Sequence, residues 1–332
     1  MLEHGGGLLR AAGQYGRSPQ QWLDLSTGIN PIPWLATVPG AASWQRLPEE
    51  EDGLIETARA YYQAPNLLAV AGSQAAIQAL PRLRPASRVG ILTPSYNEHA
   101  YRWGQAGHNV VSLAAGACEA AVDCLDVLVL CQPNNPTGEC FPTDSLLDYH
   151  SRLSARGGWL LIDEAFIDPS PHDSLARYTD REGLIVLRSL GKFFGLAGAR
   201  VGFVLAAPRL LKTLDDWLGP WCVAGPSRAI ARGALADVGW QAATRQRLRS
   251  DRARLVELLD RNELPPRGGC DLFQWVTTRQ AEWIQAALAG EGILVRRFES
   301  PAALRFGLPA TASDWHRLEH VLRDLDDPET RP

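Results

Sequence analysis

The 332-residue chain carries 33 Lys and Arg against 37 Asp and Glu, a formal net charge of -4, with 45% hydrophobic and 21% charged residues. This is the balance of a globular chain long enough for one large domain and a smaller one, and it argues against nucleic acid or a membrane surface as a partner. No apolar run approaches the ~20 residues of a membrane helix, the first residues hold no apolar signal-peptide core, and the six cysteines form neither a CxxC pair nor a zinc spacing, which reads as reduced thiols in a cytoplasmic protein.

In chain order, the N-terminal segment, with Gly5-Gly6-Gly7 and later Pro31 and Pro33, is predicted to be loop-rich. Short apolar or β-branched runs then alternate with amphipathic stretches, the βαβ pattern of a mostly parallel sheet flanked by helices. The runs predict seven strands at Leu67–Val70, Arg88–Leu92, Asn109–Leu113, Val127–Cys131, Trp159–Ile162, Leu184–Arg188 and Val201–Leu205, with helices at Gln74–Leu83, Asn97–Ala106 and Thr143–Ala155. One long helical stretch is predicted over Ser227–Leu259. After Pro265-Pro266 comes a smaller α+β pattern: strand Leu272–Val276, helix Gln280–Ala289, strands Ile293–Arg296 and Ala303–Phe306, and helix Thr311–Leu325.

In open parallel sheets, ligands bind beyond the carboxyl ends of the strands, and the unusual residues of this chain fall there. Ala71-Gly72-Ser73-Gln74 follows the first strand and opens a helix, a phosphate cup by its glycine and its free N–H groups, or an ordinary turn with Ser73 as helix cap. Gln132-Pro133-Asn134-Asn135-Pro136-Thr137-Gly138 follows the fourth. Asp163-Glu164-Ala165-Phe166 ends the fifth and places a carboxylate where a protonated ring nitrogen could pair with it. The sixth runs into Ser189-Leu190-Gly191-Lys192-Phe193-Phe194-Gly195, with Arg200 eight residues beyond the lysine; Ser189 and Arg200 flank Lys192 as potential phosphate ligands. Lys192 is one of only two lysines, and arginine cannot replace lysine in imine chemistry. The other, Lys212, lies in a polar–apolar helical pattern and reads as solvated.

These strings, in this order and at these spacings, resemble the fold-type-I pyridoxal-phosphate proteins of the class-I/II aminotransferase superfamily, and the resemblance covers the whole chain. It implies that superfamily's fold, with a large cofactor-binding domain over 38–225, a small domain formed by 1–37 with 226–332, and a homodimer. It implies pyridoxal 5'-phosphate as cofactor, with Lys192 as Schiff-base lysine and Asp163 on the pyridine nitrogen. Asn135 falls to the ring oxygen, Tyr96 stacks on the ring, and Ser73, Gln74, Ser189 and Arg200 hold the phosphate.

Within the superfamily the nearest groups resemble the histidinol-phosphate aminotransferases and the threonine-phosphate decarboxylases of cobalamin biosynthesis. Three features favour the decarboxylases: His4-Gly5-Gly6, similar to their substrate loop; Phe166, where the aminotransferases usually carry tyrosine; and Arg296 with Arg305, at substrate-anion positions. Asn30, in Leu25-Ser26-Thr27-Gly28-Ile29-Asn30-Pro31, matches a substrate-binding asparagine of both groups. The resemblance thus implies a phosphorylated amino acid as substrate, bound by His4, Gly5, Asn30, Asn135, Arg296 and Arg305. Either Arg296 or Arg297 points inward. One departure is Leu47, where the family often has a tyrosine that reaches the partner subunit's cofactor phosphate. Decarboxylation or transamination depends on which bond is held perpendicular to the ring, which the sequence leaves open. A histidinol-phosphate-type aminotransferase and a non-catalytic relative that kept the fold are the alternatives.

Overall fold

The computed structural model describes residues 5–35 and 37–325, so His4 lies outside the described residues. The chain divides into two compact units. One holds residues 33–135 and 139–242; the other holds residues 1–32, 136–138 and 243–332.

The larger unit is built on seven strands in the spatial order Leu68–Val70, Gly202–Leu205, Leu184–Ser189, Trp159–Asp163, Val127–Cys131, Arg88–Leu92, Asn109–Leu113. Gly202–Leu205 runs antiparallel to both of its neighbours; the remaining pairings are parallel. The inner strands are apolar on both faces because both faces are covered: Val127–Cys131 is buried at every position. The helices Ser73–Ala79, Asn97–Gln105 and Pro208–Leu218 contribute Ala76, Trp103 and Leu214 to the core that Val89, Val129, Leu161 and Ile185 form from the strands.

In the smaller unit four antiparallel strands lie in the order Arg296–Phe298, Ala303–Gly307, Phe273–Thr277, Gly268–Cys270. A separate parallel pair joins Leu23–Asp24 to Ile293–Leu294. Helices Leu8–Tyr15, Ala281–Gly290 and Ala312–Leu325 belong to this unit, and Leu8 packs against Ala11, Ala12, Trp22 and Ala289.

Three expectations need correction. The N-terminal segment is not all loop: Leu8–Tyr15 is helical, with Gly16 in the left-handed conformation ending it. The long helical stretch is two helices, Gly225–Ala236 and Val238–Arg261, because Asp237 leaves the helical conformation. Its carboxylate accepts from Trp34 Nε1 and from the Trp240 N–H, a local bond that competes with helix continuation. Ile293–Arg296 is not one strand, since Ile293–Leu294 and Arg296–Phe298 pair in different sheets. Lys212 is exposed and bonds Asp216 four residues on.

One buried ionic cluster organises the strand ends of the larger unit. Side chains alternate along a strand, so Glu164 follows Asp163 and Arg188 precedes Ser189 with opposite facing. Arg188 Nη1 donates to Glu164 Oε2 at 2.9 Å and to Ser174 Oγ at 3.1 Å, and Nη2 donates to Asp168. Its guanidinium also lies 4.4 Å over the Tyr62 ring. Burial opposes the charge on Arg188, but Asp168 and Glu164 outweigh it and hold it protonated. Arg188→Met should therefore lose about 3–5 kcal/mol of unfolding free energy, because it leaves two buried carboxylates without their cation. Denaturant unfolding checks this; a loss below about 1 kcal/mol would show that the cluster is not a structural support.

Candidate active site

The cofactor-facing residues expected from the sequence lie around one cavity of the larger unit, about 150 Å3 in volume. Ser73, Gln74, Tyr96, Asn135, Asp163, Ser189, Lys192 and Arg200 all line it, together with Cys131 and Phe166. Each arrives from the end of a strand or the start of the helix that follows. The Lys192 amine stands 5.3 Å above the Phe166 ring. Behind the lysine, Phe193 and Phe194 are buried and pack edge-on at 5.1 Å, and Trp240 stacks on Phe194 at 5.7 Å. This aromatic block anchors the backbone from which Lys192 projects.

At one end of the cavity is an anion cradle. Gly72 has φ +73, and a Cβ there would stand 2.5 Å from Arg200 Nη2. Glycine is thus required both by the backbone and by the guanidinium that lies over it. Arg200 itself adopts the left-handed conformation, φ 54, a strained state for a residue with a side chain and one that recurs at ligand clamps. The Ser73–Ala79 helix starts at Ser73 with Gly72 as its cap residue and no side-chain cap, so Ser73 is not the capping residue and the helix's first N–H groups remain available to an anion. Ser189 Oγ accepts from Gly191 N–H at 3.1 Å, which turns the hydroxyl toward the same loop.

At the other end, Asp163 is buried at 5% exposure. Its Oδ2 accepts from His99 Nε2 at 3.0 Å and its Oδ1 from the Ala165 N–H at 3.1 Å. Burial works against the imidazolium, yet the bonds and charge of Asp163 and Cys131 prevail and push His99 up to about 10. His99 was not identified from the sequence. It lies in the first turn of the Asn97–Gln105 helix, which Tyr96 caps, and its carboxylate partner is 64 positions on, beyond the reach of any local pattern.

Two expected residues have side chains engaged differently from a simple ligand role. Gln74 accepts from Tyr96 Oη at 3.2 Å and donates to Glu98 at 2.8 Å, which in turn accepts from Arg102. Gln74 therefore steadies the Tyr96 phenol, and what it offers an anion is its backbone. Of the paired asparagines, Asn134 is buried, donating to the Pro94 carbonyl and accepting from Ser95 Oγ, while Asn135 lines the cavity.

The other expected residues belong to the smaller unit. Gly5 rests on the backbone of Ser26, where a Cβ would come within 2.4 Å of the carbonyl oxygen. Asn30 is buried and its Oδ1 accepts from Arg247 at 2.7 Å and from Ile32 N–H at 3.1 Å. Arg305 is buried, donates to the Ser26 carbonyl and lies 5.3 Å over Phe273; burial and the neighbouring charge of Arg296 push it down to about 10, so it stays a cation at neutral pH. Arg297 is bridged to Glu282 and Glu299, each at 3.3 Å.

Comparison with known proteins agrees with this geometry. The profile described as aminotransferase class I and II matches residues 45–323. A threonine-phosphate decarboxylase of Pseudomonas aeruginosa is 52% identical over 329 residues, covering 99% of both chains. The chain belongs to the aminotransferase class I and II family. A second threonine-phosphate decarboxylase, from a Sinorhizobium species, is 41% identical over 98% of both chains. Among solved structures, histidinol-phosphate aminotransferase from Sinorhizobium meliloti in complex with pyridoxal-5'-phosphate superimposes with a TM-score of 0.84 at 20% identity, covering 96% of this chain and 95% of that one. L-threonine-O-3-phosphate decarboxylase from Porphyromonas gingivalis gives 0.77 at 18% identity, over 91% and 98%. The fold is that of the fold-type-I pyridoxal-phosphate enzymes, and the family's cofactor is pyridoxal 5'-phosphate.

The cavity suits that cofactor: a cradle of arginine, serine and helix N–H groups matches a phosphate, a buried carboxylate matches a pyridinium nitrogen, and a lysine amine matches an aldehyde. Gly72→Ala should push Arg200 out of the cradle and weaken cofactor binding on the order of tenfold or more, the loss expected for a displaced charge-assisted contact. Titrating apoprotein with pyridoxal phosphate checks this; unchanged affinity would mean that Arg200 does not bind the phosphate.

Proposed function

We propose that this chain is a pyridoxal-phosphate-dependent decarboxylase that converts L-threonine O-3-phosphate to (R)-1-amino-2-propanol phosphate and CO2 in adenosylcobalamin biosynthesis. The observation that carries this reading is the 52% identity, over essentially the full length of both chains, to a protein named for that reaction. The proteins named histidinol-phosphate aminotransferase are more distant, for example 32% identical over 60% of this chain for one from Legionella pneumophila. Phe166 supports the same reading, since its ring lies under the Lys192 amine and offers no hydroxyl.

Bound in the larger unit, pyridoxal phosphate supplies an aldehyde for an amine and a ring that withdraws electrons from the substrate's α-carbon. In this proposal the Lys192 amine anchors the cofactor and later delivers the proton that takes the place of the lost carboxylate. Asp163, with His99 donating to its other side, holds a proton on the ring nitrogen. Asn135 donates to the ring oxygen, Tyr96 packs on the ring, and Arg200, Ser189 and the N–H groups of Ser73 and Gln74 bind the phosphate. Arg296, Arg305, Asn30, Gly5 and His4 bind the two anionic groups of the substrate. Two cations are the right complement for a carboxylate and a phosphate, because a buried cation without an anion is unfavourable.

A cytoplasmic homodimer belongs to the same proposal. No helix among the described residues is long and apolar enough to cross a membrane. Leu35, Val38, Trp44 and Leu47 are large apolar side chains exposed within one short segment, the kind of surface that a second copy would cover.

Product analysis tests the reaction. With threonine phosphate alone the enzyme should release CO2 and aminopropanol phosphate, and free threonine should be used with kcat/KM lower by on the order of 100-fold or more, since it lacks one charge-assisted contact set. A 2-oxo acid product, or faster turnover of histidinol phosphate with 2-oxoglutarate, would replace this reading with an aminotransferase.

A further inference from the structure

Asn30, read above as a substrate ligand, is buried. A side-chain amide has an acceptor end and a donor end, so the end that faces the substrate decides what it can recognise. In this structure the acceptor end is turned inward. Oδ1 accepts from the Ile32 N–H at 3.1 Å, an Asx turn across Pro31, and from Arg247 Nη2 at 2.7 Å. The two bonds use both lone pairs of the oxygen, and the amide nitrogen points away from both donors.

The two bonds differ in strength and origin. The Ile32 bond is local and neutral. The Arg247 bond is charge-assisted and comes from 217 positions along the chain, from the Val238–Arg261 helix. A guanidinium has N–H donors and no acceptor. Turning the amide over would set its NH2 group against the Arg247 N–H groups, donor against donor, so Arg247 admits one orientation only. Arg247 is itself held: Nη1 donates to Asp251 Oδ2 at 2.9 Å, one helical turn on, which aims Nη2 at Asn30. Asp251, Arg247 and Asn30 all belong to the smaller unit, and they form a chain of acceptors and donors that ends in the two N–H groups of the amide.

We propose that Arg247 is a positioning residue for substrate binding: through Oδ1 it fixes the Asn30 amide so that Nδ2 donates to an anionic oxygen of the substrate. An amide held in this way suits a carboxylate or phosphate oxygen and turns away an ammonium group. The inference rests on the reading of Asn30 as a substrate ligand, and it adds a residue that none of the motifs read from the sequence contains.

The test is a double-mutant cycle on the full-length, cofactor-loaded enzyme, reading kcat and KM for threonine phosphate. Arg247→Met should raise KM on the order of fivefold to tenfold, with kcat within about twofold of wild type, as for a contact made equally in ground and transition states. Arg247→Lys, which keeps a cationic donor, should recover part of the loss. Asn30→Asp keeps an acceptor for Arg247 and Ile32 but replaces the N–H groups with a second oxygen, and should raise KM on the order of tenfold or more. In an Asn30→Ala background, Arg247→Met should change KM by less than about twofold, because the group it acts through is gone. Equal effects of Arg247→Met in both backgrounds would overturn the inference, since a merely structural arginine acts whether or not the amide is there. So would an unchanged KM in Arg247→Met beside a raised one in Asn30→Ala, which would make Asn30 a ligand that needs no positioning. An unchanged KM in Asn30→Ala would overturn the reading of Asn30 and this inference with it. If histidinol phosphate with 2-oxoglutarate proved the better substrate pair, the decarboxylase reading would fall, and the same cycle run with that pair would decide the role of Arg247.

Discussion

The paired bonds from Arg188 to Glu164 and Asp168 are the interaction on which the larger unit's active-site cavity depends. They join the ends of two adjacent parallel strands from beneath, while the residues next to them in sequence, Asp163 and Ser189, face the cavity. Because a strand turns successive side chains to opposite sides, fixing the buried partner fixes the exposed one. Asp168 also accepts from Tyr61 Oη, and Glu164 from Ser174 Oγ and the Leu175 N–H, so the loop between the two strands is tied to the same cation. The result is a carboxylate and a serine hydroxyl that both line the cavity, on the two strands that the buried cation joins.

Above that foundation a second tier of polar contacts sets direction. His99 donates to Asp163, and the series Tyr96, Gln74, Glu98 and Arg102 steadies the aromatic face. A carboxylate already bonded on one side has its remaining lone pairs aimed, which is what pairing with a ring nitrogen requires. The bond to Asp163 in turn favours the charged imidazole of His99 despite its burial.

Much of this was legible in the sequence. A strand such as Val127–Cys131 stands out because an unbroken apolar run bounded by turns has few other uses, and the strings that follow the strands place Asn135, Asp163 and Lys192 at strand ends. What escaped has physical causes. Arg188 closes an apolar strand, where a charge ordinarily marks the approach to solvent; only the three-dimensional placement of Glu164 and Asp168 makes it a buried anchor. His99 lies in an amphipathic helix with nothing local to distinguish it. Leu8–Tyr15 is short and flanked by glycines, and its apolar face is covered by Trp22 and Ala289, the latter far along the chain. Ile293–Leu294 separates from Arg296–Phe298 because its partner is Leu23–Asp24, a pairing that no local pattern contains.

The central claim is that the cavity around Lys192 holds pyridoxal phosphate through that lysine. Reducing the cofactor-loaded enzyme with borohydride, digesting it and locating the label by mass spectrometry tests this most directly. The account predicts a pyridoxyl group on the peptide containing Lys192, and none on Lys192→Ala treated in the same way. A label on Lys212, or a covalent adduct that persists in Lys192→Ala, would contradict it.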